Sequence, residues 1–481
     1  MPQERKYSFC VIMALLSWSV LFAQTPVPSS ENRSDTTVKP PVEFLYQVGT
    51  IDITGNKRTK EFIILREIPF RTGEQYPLAE LVKKFEDARR QLMNMALFHT
   101  VLVAAKSFEG NKINITVDVK ERWYLFPFPY FRPVDRNLNQ WIVEQNASLS
   151  RVNYGAKLLY NNATGRNDKL RLWLVNGYTK QISFSYDRLY IDKKLKWGLN
   201  SAFAMGKNRE VNYNTINDKQ VFLKDKDSYL RTFTRASMEL TYRRAIKTRH
   251  SFGIAYVDER VKDTVVNLNP TYFSRQNDHV RFPEFFYSMS YLDLDYTPYP
   301  TKGYAISFGA GKRGINKLTN EWSLSLRTSG TWHLWPKTFI NLNAFGSIKA
   351  PFKQPYYGQR FLGYGDVFMQ GYEYYVVDGV AGGYLKTTVT REMLNFNIRV
   401  PQMKKGKPAE KIPVRIFAKV FGNTGYVYNP QPGENVLSNK MLYSGGFGID
   451  ILTFYDVTFK LEWTFNQLGE NGLFLHRKTI F

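Results

Sequence analysis

The stretch that decides the fold lies near the C-terminal end and reads Val457-Thr458-Phe459-Lys460-Leu461-Glu462-Trp463-Thr464-Phe465-Asn466. Apolar and polar side chains alternate without a break, which is typical of a β-strand with one face in apolar surroundings and the other in water. Trp322 to Ser329 repeats the alternation. Shorter ladders occur at Ile182-Phe184-Tyr186, Met238-Leu240-Tyr242, Phe252-Ile254-Tyr256 and Tyr304-Ile306-Phe308.

Such ladders fill residues 123–481, with clusters of Gly, Asn, Asp and Pro between them. Alternating segments of about ten residues with aromatic ends are typical of a transmembrane β-barrel, and at about 22 residues per strand and connection about sixteen antiparallel strands fit. A soluble β-sandwich or propeller gives the same pattern strand by strand. No run of 18 apolar residues is present to form a membrane-spanning helix. We therefore predict a mainly β protein with an outer-membrane barrel at residues 123–481.

The N-terminal segment has the composition of an export signal. Two basic residues precede the apolar run Phe9 to Ala23, which ends in a small residue. We expect residues 1–23 to be a signal peptide and the Pro- and Ser-rich residues 24–43 to be a flexible linker. The single cysteine, Cys10, lies inside the signal, so disulfides and cysteine-bound metals are not expected in the exported chain.

The formal net charge is +24, a balance often found in nucleic-acid-binding proteins. Here the Lys and Arg residues are scattered among Asp and Glu on alternating strand positions. A basic lumen, or basic loops that face anionic lipid headgroups, fits an exported protein better. Nucleic acid is therefore not an expected partner.

Residues 44–122 change periodicity several times and predict one small α+β domain. The order of elements is β-α-α-β-β in under 80 residues, enough for an independent unit. The expected elements are a strand at Val48–Ile53, a helix capped by Thr59 and ended by Pro69, a helix from Pro77, and strands at Val101–Ala105 and Ile113–Val119.

Four stretches of the expected barrel carry further motifs. They are Leu292–Tyr304, with Asp293, Asp295, Pro300 and Gly303; Met369-Gln370-Gly371-Tyr372-Glu373; Phe421–Val427; and Gly446–Asp450. In this order behind a β-α-α-β-β unit, they resemble the superfamily that joins POTRA domains to an outer-membrane barrel and includes BamA, TamA and the two-partner secretion transporters. The resemblance covers about nine tenths of the chain.

In that superfamily an Arg on a loop folded into the lumen contacts an Asp on a neighbouring strand. The matching positions here are the amides Gln370 and Asn423, which avoids an unpaired buried charge. The resemblance then implies an uncharged latch between Gln370 and Asn423, with Gly371, Tyr372 and Glu373 on the loop side. Alternatively, Gln370 faces lumen water while Gly371 serves the turn.

The resemblance also implies a function. It predicts a protein of the outer membrane, with its POTRA-like domain in the periplasm, that assists insertion or translocation of other proteins through a weak seam. We expect the seam between a strand near Asn146 to Tyr154 and one near Leu473 to Phe481. The expected docking edge for clients is Val101, Leu102 and Val103. Phe481 resembles the C-terminal aromatic read by the assembly machinery, or is an ordinary interface aromatic.

Expected partners are outer-membrane lipid, unfolded or exported client proteins and periplasmic or lipoprotein subunits. Two alternatives stay open: a passive transport pore or structural barrel, and a secretion pore for one partner protein. The second usually has two POTRA domains and a plug helix, for which residues 24–43 are too rich in proline.

Enzymatic motifs do not point to a catalytic role. Residues 309–314 match G-x-G-x-x-G, but a strand follows instead of the helix that a dinucleotide site needs. The histidines share no metal-ligand spacing, and Asp278-His279 is interpreted as a solvated loop. No G-x-S-x-G elbow is present. We predict no catalytic residue, no metal site and no cofactor.

Overall fold

The structure is a computed structural model that describes residues 44–133, 140–144, 146–192, 194–225, 227–316, 318–399 and 411–476. The expected signal peptide, the expected linker and Phe481 lie outside these residues. None of the helices in the described residues is long and apolar enough to cross a membrane.

The N-terminal domain consists of a four-stranded sheet and two helices. Its elements are β1 (Leu45–Thr54), α1 (Glu61–Glu67), β2 (Gln75–Pro77), α2 (Leu78–Asn94), β3 (Phe98–Glu109) and β4 (Lys112–Glu121). The sheet order is β2-β1-β4-β3, with β1 parallel to β4, so β2 and β3 are the outer strands. The predicted order omitted β2, because three residues are too few to show a period.

The core of this domain forms where α2 packs on the sheet. Leu81, Ala88 and Leu92 on one face of α2 are buried, as are alternate residues of β4 such as Ile113 and Ile115. A helix of this length depends on such packing more than on its intrinsic propensity. The domain therefore presents a rigid sheet whose outer strand β3 is covered on one face by α2.

Thr59 does not cap α1 as predicted. The N-cap is Lys60, which makes no side-chain cap hydrogen bond. Thr59 is buried, and its hydroxyl accepts a 2.9 Å hydrogen bond from Asn162 Nδ2 and lies 3.2 Å from Tyr124 Oη. The prediction that Thr59 is the N-cap is therefore wrong, because its hydroxyl oxygen binds Asn162 in a distant turn instead.

The remaining strands form the predicted sixteen-stranded antiparallel sheet of a barrel, together with a separate hairpin and a short helix. In chain order these elements are β5 (Leu125–Pro133), β6 (Val152–Asn161), β7 (Lys169–Gly177), β8 (Thr179–Tyr190), β9 (Trp197–Asn208), β10 (Glu210–Ile216), β11 (Lys219–Lys224), β12 (Arg231–Tyr242), β13 (Thr248–Val261), α3 (Asp263–Leu268), β14 (His279–Leu294), β15 (Gly303–Arg313), β16 (Glu321–Trp335), β17 (Thr338–Ala350), β18 (Ala381–Arg399), β19 (Lys411–Tyr428), β20 (Met441–Leu452), β21 (Thr458–Asn466) and β22 (Asn471–His476). Strands β10 and β11 form the separate hairpin.

Alternate side chains of the barrel strands separate an apolar outer face from a polar inner face. Trp322, Leu324 and Leu326 of β16 are exposed on the outer face. Facing inward, Lys419 Nζ lies 2.5 Å from carboxylate oxygens of both Asp450 and Glu462, and all three side chains are nearly inaccessible. Burial of these charges is offset by their pairing across neighbouring strands.

Loops on one side of the barrel meet across its mouth. The β10–β11 hairpin follows the fifth strand of the sheet and residues 429–440 follow the thirteenth, so eight strands separate them. Yet the Asp218 carboxylate accepts hydrogen bonds from the backbone N–H groups of Val436 and Leu437 at 2.9 and 3.1 Å. Loop 351–380 joins them, because Val376 N donates to Asp218 O at 2.8 Å. These contacts require a curled sheet and place folded loops over this opening.

Candidate functional site

The first barrel strand, β5, carries three prolines, Pro127, Pro129 and Pro133, all at odd-numbered positions. It pairs with β6 along its whole length, from Leu125 opposite Tyr160 to Pro133 opposite Val152. Proline has no N–H to give to a ladder. The hydrogen-bonded pairs with β6 must therefore be those of the even-numbered residues, and the odd-numbered residues point their backbone groups away from β6.

The outward edge of β5 thus lacks most of its donors. Of the odd-numbered positions 125, 127, 129, 131 and 133, three are proline and offer only a carbonyl. The outward carbonyl of Leu125 accepts a hydrogen bond from the Trp123 indole. A neighbouring strand on this edge would find backbone donors at Leu125 and Phe131 alone.

The predicted position of the seam needs a correction on this side. The strand near Asn146–Tyr154 is not the first, because Val152–Asn161 is β6 and lies one strand inside the edge. The first strand is β5. The sequence did not predict it, because prolines are rare in strands and interrupt the alternation of apolar and polar residues. At the other end of the sheet, β22 (Asn471–His476) is the last described strand, and it overlaps the predicted Leu473–Phe481 region.

Loop 351–380 packs its residues 368–375 against β22. Phe368 and His476 have ring centroids 5.3 Å apart, and Tyr374 meets Phe474 edge-on at 5.4 Å. Glu373 Oε1 lies 3.6 Å from His476 Nε2. The His476 Nδ1 atom is 2.5 Å from Glu462 Oε2 on β21, so the loop and both last strands meet at one imidazole.

The predicted latch residues 370–373 lie in this loop and Asn423 lies in β19, but the two amides do not bond directly. Among the described residues, Asn423 Nδ2 donates to Ser444 Oγ at 3.1 Å, and the buried side-chain oxygens of Gln370 and Asn423 accept no hydrogen bond. Gly371 has a φ of +90°, and a Cβ there would lie 2.7 Å from Ser444 Cβ. The strand and the loop therefore meet through Ser444 rather than amide to amide.

Other contacts hold the predicted loop residues. Gly371 O accepts from Asn466 Nδ2 at 2.8 Å, and Gly371 N donates to Glu373 Oε2 at 2.8 Å. The Tyr372 hydroxyl donates to Tyr443 O at 3.0 Å. Gly371 serves a turn, as the alternative interpretation stated, while Glu373 makes the charged contact that the resemblance assigned to an Arg.

The motif at the start of β15 forms a tight turn. The Asp295 carboxylate accepts from the backbone N–H groups of Thr301 and Lys302 at 2.9 and 3.0 Å, and Pro300 lies inside the turn. Gly303 has a φ of +111°, and a Cβ would lie 2.0 Å from Asp293 O. Only glycine fits there, which explains the motif physically.

The same turn connects the barrel to the POTRA-like domain. Asn94, at the end of α2, donates from Nδ2 to Leu294 O and accepts from Thr297 N, both at 3.0 Å. Asp293 pairs with Lys247 at 2.7 Å and lies 3.7 Å from Arg90 of α2. The turn also sends Tyr299 into the barrel, where its ring stacks on Phe417 at 4.4 Å.

A buried ion pair forms a second connection between the domain and the barrel. Both Nη atoms of Arg243, in the β12–β13 turn, lie 2.5 Å from the carboxylate oxygens of Glu67 in α1. Burial alone would raise the pKa of Glu67, but the Arg243 hydrogen bond and the charges of Arg243, Arg66 and Arg249 outweigh it and lower the pKa to about 2. A bidentate, charge-assisted pair of this kind fixes orientation as well as distance.

Strand β3, which carries the predicted docking residues, is an outer strand of its sheet. Val101 is buried under α2, Leu102 is 56% exposed, and Val103 is half-buried. Beside it lies a cavity of about 1080 Å³ between the domain and the barrel. Its lining includes Arg89 and Met93 of α2, His99 and Thr100 of β3, and Tyr455 and Asp456 of the β20–β21 turn.

This cavity reaches the base of β5. Arg122, just before β5, pairs with Asp456 at 2.7 Å, and Trp123 N donates to the Tyr455 hydroxyl at 3.1 Å. The Tyr455 ring also meets Phe126 of β5 edge-on at 5.3 Å. One continuous surface therefore leads from the edge of β3 past the β20–β21 turn to the first barrel strand.

Comparisons with known proteins agree with this architecture. Residues 46–122 match the POTRA family model, described as a surface antigen variable number repeat. The outer membrane protein assembly factor BamA of Neorickettsia risticii (strain Illinois) is 30% identical over 95 residues, which are 20% of this chain and 12% of that protein. The sequence likeness thus spans only about an eighth of the curated relative.

The likeness to solved structures extends over nearly the whole chain. CdiB from Escherichia coli has a TM-score of 0.53 at 9% identity, and the alignment covers 90% of this chain and 75% of CdiB. BamA from Haemophilus ducreyi lacking POTRA domains 1–3 has a TM-score of 0.49 at 14% identity, over 90% of this chain and 83% of that one.

The chain therefore carries a POTRA domain at residues 46–122, followed by an outer-membrane barrel with the fold of CdiB. Its single described POTRA domain lies on the periplasmic side, so the turns that contact this domain are periplasmic and the loops at the other mouth are extracellular. Similarity to BamA in sequence is confined to 95 residues, while similarity to CdiB lies in the fold.

Proposed function

We propose that this protein assists the insertion or translocation of other proteins at the outer membrane through a lateral seam between β5 and β22. The observation that carries the proposal is the proline-rich outward edge of β5, which lacks three of five backbone donors. In lipid, each unsatisfied backbone group costs several kcal/mol. A seam on this edge would lack the three hydrogen bonds that these positions would donate if they were not proline.

The edge that would pair with an incoming client strand is β22. Its described residues, Asn471–His476, contain no proline, and it is paired to β21 on its other side. An extended client segment added there satisfies its own backbone groups as it enters the lipid. The side chains of residues 368–375 pack against β22 and would hold this edge in place during pairing.

The POTRA domain would receive the client first. The outer strand β3 offers an edge for β-augmentation, and the cavity beside it leads to the base of β5. The proposal involves no catalytic step, because insertion driven by backbone pairing and burial needs none. Similarity to an assembly factor, BamA, and to CdiB supports a role in handling proteins.

A passive pore is the less supported function. Loops that stem from opposite sides of the barrel contact each other at the extracellular mouth through Asp218, Val436 and Leu437. At the periplasmic mouth, Tyr299 reaches into the barrel and packs with Phe339, Phe417 and Leu452. An open channel would require both groups of contacts to separate.

A disulfide across the seam tests the proposal. Cysteines are placed in pairs, one at Phe126, Phe128 or Tyr130 of β5 and one at Gly472 or Phe474 of β22, and oxidised in the membrane. Cys10 is the only native cysteine, so crosslinks are unambiguous. We expect oxidation to abolish insertion of a client barrel into liposomes and reduction to restore it.

The matched control locks an interior ladder instead. Ser237 and Ala255 stand directly opposite each other on β12 and β13, at a separation that a disulfide can bridge. This lock should leave client insertion unchanged. Full activity in a seam-locked protein would contradict the lateral mechanism and favour the pore. An equal loss of client insertion in the seam-locked protein and in the control would mean that any disulfide in the barrel blocks insertion, which would also contradict the role of the seam.

A further inference from the structure

Three cations surround Tyr229 at the extracellular rim of β8 and β9. The Lys207 Nζ atom lies 4.3 Å from the centroid of the Tyr229 ring, the Arg209 guanidinium carbon 5.3 Å and the Lys180 Nζ atom 6.0 Å. Each distance is within the range of a cation–π contact. The ring therefore gathers three positive charges at one place on the rim.

The cluster has no counterion within the described part of the chain. No carboxylate lies within ion-pair distance of Lys180, Lys207 or Arg209 among the residues that the structure describes, and the buried Nε atom of Arg209 has no hydrogen-bond partner. Lys180 and Lys207 are also direct cross-strand neighbours. Like charges at such positions destabilise a sheet, and no described carboxylate offsets the repulsion between these two lysines.

The three cations also change the pKa of the Tyr229 phenol that they surround. Burial would raise the pKa of Tyr229 slightly, but a hydrogen bond with Lys180 and the charges of Lys180, Arg209 and Lys207 lower it below the usual value. The positive charges that lower this pKa also attract other anions to the cluster.

The side chains of Lys180 and Lys207 lie on the lipid-facing side of the barrel. Along β8, Lys180 shares its face with Ile182 and Phe184, which are 51% and 40% exposed. Along β9, Lys207 shares its face with Met205 and Phe203, which are 48% and 39% exposed. An apolar surface for acyl chains thus begins one residue pair below the cations, on the same two strands.

The level of the cluster along the barrel is fixed by the POTRA domain. Arg66 of this domain lies over the ring of Tyr190, at the periplasmic end of β8, with 4.7 Å to the centroid. Lys180 is at the opposite end of the same strand. The cations therefore stand at the end of these strands that is farther from the POTRA domain.

We propose that Lys180, Lys207 and Arg209 bind the phosphate group of a phosphorylated glycolipid in the outer leaflet, with its acyl chains against Ile182 and Met205. A phosphate accepts charge-assisted hydrogen bonds from all three side chains and supplies the negative charge that the cluster lacks. The vertical order of cations above apolar residues matches a lipid and not a soluble anion. The site is separate from the seam and does not depend on the proposed function.

The test uses the full chain in nanodiscs that contain lipopolysaccharide with either phosphorylated or enzymatically dephosphorylated lipid A. Native mass spectrometry counts retained lipid, and a competition arm adds inorganic phosphate. The triple variant K180Q/K207Q/R209Q is compared with K224Q/K353Q/K440Q, which removes three exposed extracellular-loop lysines and changes the net charge equally. A third variant, K180R/K207R, keeps the charges.

We expect the native chain, the loop control and K180R/K207R to retain phosphorylated lipid, and K180Q/K207Q/R209Q to retain at least tenfold less. Dephosphorylated lipid should bind all variants equally weakly. Equal retention by the two triple variants, at equal folded fractions in gel mobility, would overturn the site. Displacement of the lipid by millimolar inorganic phosphate would overturn the lipid as its ligand and indicate a simple anion site.

Discussion

The Glu373 carboxylate, in the loop folded into the barrel, lies 3.6 Å from Nε2 of His476, in the last described strand. A single ring thus receives a contact from the loop on one nitrogen and from Glu462 on the other. The strand at the seam is held from inside the lumen as well as by its ladder with β21. The state of the loop and the freedom of β22 should therefore change together.

Replacement of Glu373 by Gln should loosen β22. An ion pair of this length is worth about 1 kcal/mol, so amide exchange in residues 471–476 should accelerate about fivefold. Hydrogen exchange with mass spectrometry on the detergent-solubilised protein measures this change. The control E434Q alters an exposed carboxylate of loop 429–440. Unchanged exchange in β22 would mean that the aromatic contacts alone hold the strand.

Replacement of Pro127 and Pro129 by Ala should tighten the seam. Two outward donors return to β5, which should stabilise the closed barrel by about 2 kcal/mol, less a smaller loss from the more flexible unfolded chain. We expect a higher temperature of unfolding on heat-modifiability gels and slower client insertion. The double variant P430A/P432A has the same spacing in an extracellular loop and should change neither quantity. Faster insertion by P127A/P129A would contradict the role assigned to the prolines.

The contact between Glu67 and Arg243 should fail in acid. Because the pKa of Glu67 is lowered from 4.5 to about 2, its contribution is complete above pH 4.5 and is lost as the pH falls towards 2. The shift corresponds to about 3 kcal/mol. The difference in unfolding free energy between the native chain and E67Q should be constant from pH 8 to 5 and shrink below pH 4.5.

The control for this prediction is E61Q, which changes an exposed carboxylate at the start of the same helix. Its difference from the native chain should not follow the same curve. A gap between E67Q and the native chain that persists undiminished at pH 3 would show that packing, and not the charge of Glu67, stabilises the contact.

A photoreactive amino acid at Leu102 should crosslink to client proteins in growing cells. Leu102 is 56% exposed on the outer strand β3, so an added strand would pass beside it. The same probe at Val82 of α2, which is 50% exposed but outside the cavity lining, provides a control of matched exposure. Equal client yields from both positions would argue against docking on this edge.

The barrel could be predicted because its signal is local. Each strand such as β21 repeats a two-residue period, and the lipid-facing side must stay apolar whatever its neighbours are. The helices and strands of residues 44–122 could also be predicted from local periodicity, apart from the three-residue β2. The edge position of β3 also agrees with the predicted docking strand, although docking itself stays a prediction.

The contacts of the site could not be predicted in the same way. Glu373 and His476 are more than a hundred residues apart, and nothing in either local sequence marks the other as its neighbour. The contact predicted between Gln370 and Asn423 came from a resemblance to a family and not from the local sequence. Ser444, which lies between the loop and Asn423, belongs to no motif. A signal for β5 did exist, since prolines confined to odd-numbered positions suit an edge strand. Likewise, His279 begins β14 and lies 3.0 Å from Asp258, where a solvated loop was expected.

The contact of Asp218 with Val436 and Leu437 has a consequence for anything that approaches the cell from outside. The contact holds residues more than two hundred positions apart side by side, so that exposed neighbours of the buried Asp218 and Leu437, such as Lys219 and Val436, form one continuous patch. An antibody or a phage tail that recognises this patch reads a composite epitope, which unfolded protein and short peptides do not display. Sera raised against denatured material should therefore fail to label intact cells at this surface.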